Sequence, residues 1–247
     1  MRTRTATSSS SPEVSDLPPP PGLTQAALGK LTDLLGEARL LGFLGPGPVE
    51  QHMSHGLAFL RLVPQDDGRP AESPAVDLGS GAGVPGLLLA LACPGRPWVL
   101  IEANHRRASF LTGAVDVLGI HERVEVACQR AEEIGRSALR GAAGLVVARA
   151  FAGPAPTAEC AAPLLRPGGS LLVSEPPGAP DRWSADLLDH LGLAPDGAAV
   201  DPVALRRFRQ VSPCPDRFPR RTGVPFKRPL FNLGSDGLSN LAPGAGA

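Results

Sequence analysis

The stretch AVDLGSGAGVPGLLLALA, residues 75–92, decides the fold. It opens as a buried apolar strand, passes through a glycine-dense turn and leaves as an apolar helix. Two frames fit its glycines. Gly81, Gly83 and Gly86 spell G-x-G-x-x-G, the dinucleotide fingerprint, whereas Asp77, Gly79, Gly81 and Gly83 spell D-x-G-x-G-x-G, the turn of a methyl-donor site. In either frame the glycines let the backbone take positive φ and approach a ligand closely, and the following helix presents free N–H groups. Asp77 separates the two. It lies inside the strand, where a dinucleotide fold wants an apolar residue, and a carboxylate there is desolvated unless the turn or a ligand amine donates to it. A cationic methionine moiety suits that role. The residues expected at the cofactor are therefore Asp77, Gly79, Ser80, Gly81, Gly83 and Val84. Glu102 ends the next apolar run, 21 residues after Gly81, and can accept from a ribose diol with either cofactor.

Working outward, AVDL, WVLIE, RVEVAC, GLVVARA and SLLVS read as strands. They alternate with helices over VPGLLLALA (Pro85 in its first turn), NHRRASFLTGAVDVLG (stopped by Gly119) and PAPTAECAAPLL. This alternation predicts a parallel sheet covered on both faces, with the ligand at the carboxyl ends of the strands near the switch in strand order. Upstream, a helix is predicted over 24–42, capped by Thr24 with Leu28, Leu31, Leu34 and Leu35 on one face, and a second from Pro48 to Val63. Downstream, WSADLLDHLGL reads as a helix, VALRRFRQV as an edge strand, and SPCPDRFPRRTGVPFKRPL carries too many prolines for a helix or a central strand. APLLRPGGSLLVS, an apolar helix end, a Pro-Gly-Gly turn and a strand, is similar to the approach to the fifth strand of S-adenosylmethionine-dependent methyltransferases. The expected architecture is α/β, a Rossmann-like class I S-adenosylmethionine-dependent methyltransferase fold. It has a mostly parallel seven-stranded sheet with helices on both faces and an N-terminal helical extension. The expected divisions are a disordered arm (1–22), the helical extension (23–66), the methyltransferase domain with a basic C-terminal segment (67–231) and a flexible tail (232–247).

Composition narrows the setting. Lys plus Arg and Asp plus Glu are 24 each, so net charge by itself selects no acidic partner. The four cysteines, Cys93, Cys128, Cys160 and Cys214, form no C-x-x-C pair, which argues for reduced cytosolic thiols rather than disulfides or zinc. No apolar run approaches the roughly 18 residues of a membrane span, and the Arg-, Ser- and Pro-rich N-terminus lacks the apolar core of a secretory signal. A cytoplasmic protein with no membrane association, no metal and no obligate protein partner is expected.

Five segments together resemble one family. DLGSGAGVPG, IEANHRRASFL, QRAEEI, VVARAFA and DRFPRRTGVPFKRPL, spread from about residue 49 to 230, are similar to the RsmG (GidB) family of 16S rRNA guanine-N7 methyltransferases. The last is the most specific, because Pro, Arg, Gly and Lys recur there in fixed order. The resemblance implies that Ala131 and Glu132 lie at the adenine and that Arg149 contacts the cofactor. Glu132 can accept from the adenine amino group or cap a helix. Arg149 can pair bidentately with the methionine carboxylate or orient the base. The family's N-L-T segment is absent, His55 and Gly56 stand in HMSHG where the family has Asp and Ser, and SEPPG (Glu175, Pro176) replaces a Lys-Gly pair. Those elements bear on substrate more than on cofactor.

The implied substrate is a guanine of 16S rRNA in the small ribosomal subunit; the alternative is a paralogue acting on another RNA or a small molecule. Guanine N7 carries an unprotonated lone pair, so methyl transfer to it needs alignment and desolvation rather than a general base. Consistent with that, no catalytic dyad stands out, and Arg149 and His52 are the candidates. His52 and His55, three residues apart, lack a third metal ligand. The C-terminal region crowds Arg206, Arg207, Arg209, Arg217, Arg220, Arg221, Lys227 and Arg228 around Phe208, Phe218 and Phe226. Such a pattern suits phosphate contact and base stacking, or else a solvated edge with its rings packed on the sheet. Arg220, Arg221, Lys227 and Arg228, with Arg106 and Arg107 at a helix start, are the RNA-contacting candidates. Cations at a helix N-terminus are unfavourable to the helix itself, which favours a phosphate-facing role.

Overall fold

The computed structural model describes residues 22–64, 73–199 and 203–231. The arm, the junction between extension and domain, and the C-terminal tail expected from the sequence lie outside them, apart from Gly22 and Ser73–Pro74 at the margins. Seven strands form one sheet: β1 (Ala75–Leu78), β2 (Trp98–Ile101), β3 (Val124–Ala127), β4 (Ala143–Ala148), β5 (Leu165–Ser174), β6 (Leu193–Ala199) and β7 (Leu205–Gln210). Their order is β3-β2-β1-β4-β5-β7-β6. The first five run parallel, and β7 is antiparallel to both β5 and β6. Strand order reverses between β1 and β4, so their carboxyl ends open a crevice for ligands.

The helices are α1 (Gln25–Leu40), α2 (Val49–Ala58), α3 (Gly86–Ala92), α4 (His105–Leu118), α5 (Ala131–Ile134), α6 (Pro154–Ala161), α7 (Ala185–His190) and α8 (Val224–Lys227). Local chemistry sets their ends. Thr24 Oγ1 accepts from the Ala27 N–H and Asn104 Oδ1 from the Arg107 N–H, each satisfying an orphan donor of a first turn. Gly119 closes α4 at φ 68°, a left-handed cap that glycine adopts without strain. Two apolar cores result. On one face Leu31, Leu35, Phe59, Leu88 and Leu111 of the first four helices and their connections meet Trp98, Leu100 and Leu145. On the other, Ile134, Ala158 and Leu187 meet Val76, Ile101, Val146 and Phe208.

Several expectations shift. The helix predicted to reach Val63 ends at Ala58 and continues as a single 3-10 turn, Phe59–Arg61. Pro85 is the N-cap of α3 rather than a member of its first turn. Pro-Gly-Gly is no separate turn: β5 starts at Leu165, paired with Ala143, and resumes register at Ser170 opposite Leu145, leaving Arg166–Gly169 as a bulge. WSADLLDHLGL is helical only over Ala185–His190, and its last residue begins β6. VALRRFRQV lies inside the sheet, because β6 is the edge strand beyond it. Pro195 and Gly197 hide β6 from a sequence reading, yet an edge is where a strand tolerates a residue without an N–H. The proline-rich segment holds one turn of helix, α8, with Pro225 near its start.

Gly86 ties α3 to β1. Its N–H donates to Asp77 Oδ2 at 3.0 Å. A Cβ at this position would sit 2.3 Å from that oxygen and 2.7 Å from Leu100 Cδ2. Alanine is the better helix former by about 1 kcal/mol, but overpacking a filled site costs about 1–3 kcal/mol. Gly86→Ala is therefore expected to lower stability, read as a fall in the urea midpoint at unchanged slope.

Candidate active site

The glycine turn is built by three left-handed residues, Gly79 (φ 73°), Gly81 (φ 57°) and Gly83 (φ 93°), a conformation that side chains resist. Ser80 N–H donates to the Ile101 carbonyl at 2.9 Å, which locks the turn to the end of β2. Glu102 completes it: Oε2 accepts from the Gly81 N–H at 2.9 Å and Oε1 from the Asn104 N–H at 2.8 Å. Each oxygen keeps a lone pair for a diol. The direction of a Cβ at Gly81 meets nothing nearer than 3.9 Å, so the turn is open there, while the Phe151 ring lies over Gly79. An open cradle flanked by a carboxylate fits the sugar and amino-acid groups of S-adenosylmethionine.

Asp77 is the most perturbed group here. It is buried, and of the two partners foreseen for it the turn supplies one, the Gly86 N–H. Burial pushes its carboxyl up to about 7, against the pull of Ser80, the Gly86 N–H and the Arg149 guanidinium. Arg149 follows β4 directly, and burial lowers its affinity for its proton while Asp77 raises it. Its Nη2 donates to His52 Nδ1 at 2.6 Å. A guanidinium cannot accept, so His52 Nδ1 is the acceptor and the ring proton is assigned to Nε2. Nε2 faces the carbonyls of Gly45 and Pro46 at 3.2 and 3.1 Å, which fits that assignment. The two catalytic candidates, 97 residues apart in sequence, are thus in direct contact. His55 does not pair with His52. Its ring lies beside Phe59, and burial, followed by the charge of Arg149, lowers its pKa to about 4.

Arg149, His52 and His55 border a cavity of about 500 Å3, closed on other sides by Phe151, Glu175 and Trp183. That volume is in the range of small-molecule sites. Glu175 is held by Arg182, whose Nη2 donates to Oε2 at 2.8 Å, and by Trp183 Nε1, which donates to Oε1 at 2.9 Å. Phe151, Arg182 and Trp183 are the lining residues that sequence reasoning missed, whereas the sequence already marks Glu175 as standing near a lysine of the family. VVARAFA contained the ring, but no spacing rule marks it.

Other expectations are corrected. Glu132 does not cap α5: it is buried, and Oε1 accepts from the Gly223 N–H at 2.7 Å. Ala131, also buried, opens α5 beside it. Arg220 is not a free cation. Its Nη2 donates to Glu159 Oε2 at 2.6 Å, and that carboxylate is fully buried. Arg206 pairs with Asp181, and Arg207 and Arg209 with Asp196. Arg217 lies over the Phe218 ring, 4.9 Å from its centroid. Phe208 and Phe218 are buried, so their rings pack in the core rather than stack on bases. Arg221, Lys227 and Arg228 are exposed, as is Arg106, which lies over Phe43 at 5.7 Å; Arg107 is half-buried one position on. Among the described residues no group of three or more His, Cys, Asp or Glu is placed to hold a metal. No helix among them is long and apolar enough to cross a membrane.

Comparison with known proteins agrees with this geometry. The family described as "GidB: rRNA small subunit methyltransferase G" matches residues 47–176, more than half of the chain. The chain belongs to that family. A ribosomal RNA small subunit methyltransferase G of Syntrophomonas wolfei is 33% identical over 197 residues, covering 75% of this chain and 87% of its own. One of Parasynechococcus marenigrum is 35% identical over 171 residues, covering 63% and 67%. In fold alone, cofactor-bound Rv0187 from MTB matches at a TM-score of 0.52 and 17% identity, over 76% of this chain and 91% of that one. The chain is thus an S-adenosylmethionine-dependent methyltransferase of Rossmann-like fold, as Asp77 indicated.

The buried carboxylates bear on stability. Asp77 holds its proton up to about pH 7 when folded and releases it near 3.8 when unfolded. The folded state therefore loses stability as pH rises from about 4 to 7, by up to about 4 kcal/mol, and no more above that. Asp77→Asn keeps an acceptor for Gly86, and subtracting its urea-unfolding free energy from that of the native protein should expose that slope. Removing one partner of a buried ion pair costs about 3–5 kcal/mol, whereas an exposed side chain changes stability within about 0.5 kcal/mol. Glu159→Ala should fall in the first class and Arg221→Ala in the second, in the same denaturation assay.

Proposed function

We propose that this chain methylates N7 of a guanine in 16S rRNA of the small ribosomal subunit, in the cytoplasm. The observation that carries the reading is the juxtaposition of the methyl-donor turn with a cavity of about 500 Å3 able to admit a base, Phe151 touching both. The relatives' names support rRNA as the substrate class. S-adenosylmethionine, when bound, supplies a methyl group already activated on sulfur.

The chain's own residues supply position and dryness. The backbone of Gly79 to Val84, with Ser80 locked to β2, forms the cradle, and Glu102 offers acceptors to the ribose. Asp77 pins the turn to α3 through the Gly86 N–H, and Arg149 supplies a positive charge beside it. His52 fixes the Arg149 guanidinium, and the cavity walls exclude water around an acceptor nitrogen that has no proton to lose. Arg221, Lys227 and Arg228, with Arg106 and Arg107, form the phosphate-facing surface, and the first three lie on the segment whose Phe226 packs against Phe151.

Tritiated methyl transfer to small subunits stripped of the modification tests the reading. Label in 16S rRNA at a guanine is expected; label only in another RNA or a small molecule points to the paralogue, and none in any RNA despite cofactor binding overturns RNA methylation. Replacing Arg221, Lys227 and Arg228 together with Ala should weaken RNA binding and flatten its log–log salt slope by about 0.7–0.9 for each phosphate no longer neutralised. Cofactor affinity, by calorimetry, should stay the same. Arg149→Ala should lower that affinity.

A further inference from the structure

Phe151 belongs to the site but has no charge, proton or hydrogen bond to offer, and three observations show that it is placed with care. The residue before it, Ala150, has φ 53°, one of two described non-glycine residues with positive φ. That geometry costs an L-residue conformational strain, and such strain persists where the surroundings over-determine it. Next, one edge of the ring lies against the cofactor turn: a Cβ at Gly79 would come within 2.5 Å of Phe151 Cδ2. Last, the ring is braced from outside by Phe226, edge to face, with centroids 5.6 Å apart and planes at 67°. Phe226 is held by the C-terminal segment, which two buried carboxylates seat: Glu159 on Arg220 and Glu132 on the Gly223 N–H. The ring is half-buried and also walls the cavity beside Arg149.

The geometry points to Phe151 as the stacking face for the acceptor base. Phe151 is the phenylalanine ring that lines the cavity, a purine stacked on it would lie parallel to its plane, and contact of the same ring with Gly79 fixes that plane relative to the methyl-donor turn. In-line transfer requires that relation, and a base without protonic chemistry leaves orientation as the main lever on rate. Ala150 aims the ring, and Phe226, Glu132 and Glu159 act through it as positioning residues. This inference rests on the acceptor-cavity reading above and adds the residue that orients the base.

Three substitutions test it. Phe151→Leu keeps much of the apolar volume and removes the π-face. Phe151→Tyr keeps the face. Ala150→Gly relieves the left-handed strain while freeing the aim of the ring. With small ribosomal subunits as acceptor, Phe151→Leu should lower kcat/KM by roughly 5- to 140-fold, the value of stacking one base, and Phe151→Tyr should restore most of it. Ala150→Gly should lower kcat while its unfolding temperature stays level or rises by about 2–4 °C, a combination that a merely structural role does not produce. Calorimetry with guanosine monophosphate, on protein loaded with S-adenosylhomocysteine, reads the same face without rRNA. The native protein should bind the nucleotide at least about fivefold more tightly than Phe151→Leu. Equal nucleotide binding by the two overturns the stacking role. If the native protein methylates no rRNA but binds the nucleotide through Phe151, the rRNA reading fails and the stacking face stands.

Discussion

The hydrogen bond from the Gly86 N–H to Asp77 Oδ2 is the constraint on which the site depends. A carboxyl group buried at the end of the first strand has to be satisfied there or protonated. Satisfying it draws the start of α3 onto β1, and only glycine leaves room, because any Cβ at residue 86 would overlap the carboxylate and Leu100. The turn between them then has to reverse within a few residues, and it does so through Gly79, Gly81 and Gly83 at positive φ. The open cradle, the inward Glu102 and the neighbouring Arg149 all follow from where that turn is pinned.

A second set of buried charges shapes the other half of the site. Glu132 and Glu159 lie on elements that follow the third and fourth strands, and both bind the C-terminal segment. Burying two carboxylates without partners would be costly, so the segment is held wherever they are satisfied. That seats Phe226 against Phe151 and leaves Arg221, Lys227 and Arg228 facing outward. The cationic stretch thus splits in two. Arg206, Arg207, Arg209 and Arg220 neutralise the protein's own acids, and the remainder is available to a polyanion. A sequence count of arginines cannot make that division, because the acids that absorb them come from distant parts of the chain.

Much of the catalytic half is legible in the sequence. Asp77 inside an apolar strand, three glycines at alternate positions and Glu102 at the next strand end are local signals with a physical cause, and they identify a methyl-donor turn. Arg149 is visible as a cation closing an apolar strand, and its contact with His52 is not, since it joins residues 97 apart. The contact of Glu132 with Gly223 is hidden for the same reason, since the two lie 91 residues apart. Phe151 gives no signal, because a ring in an alanine-rich stretch has no periodicity to stand against. β6 escapes notice because Pro195 and Gly197 break a strand pattern that an edge position permits.

By itself, the sequence determined the alternation of strands and helices, the frame of the glycine turn and hence the cofactor class. These rest on short-range rules, namely the periodicity of apolar residues, glycine's access to positive φ, and the cost of a lone buried carboxylate. The tertiary structure decided which arginines are paired, which buried acids hold the C-terminal segment, which edge closes the sheet and what walls the cavity beside Arg149. Those are pairings between segments far apart in the chain, and hydrogen-bond and charge satisfaction in a dry interior select them only once the fold has brought the partners together.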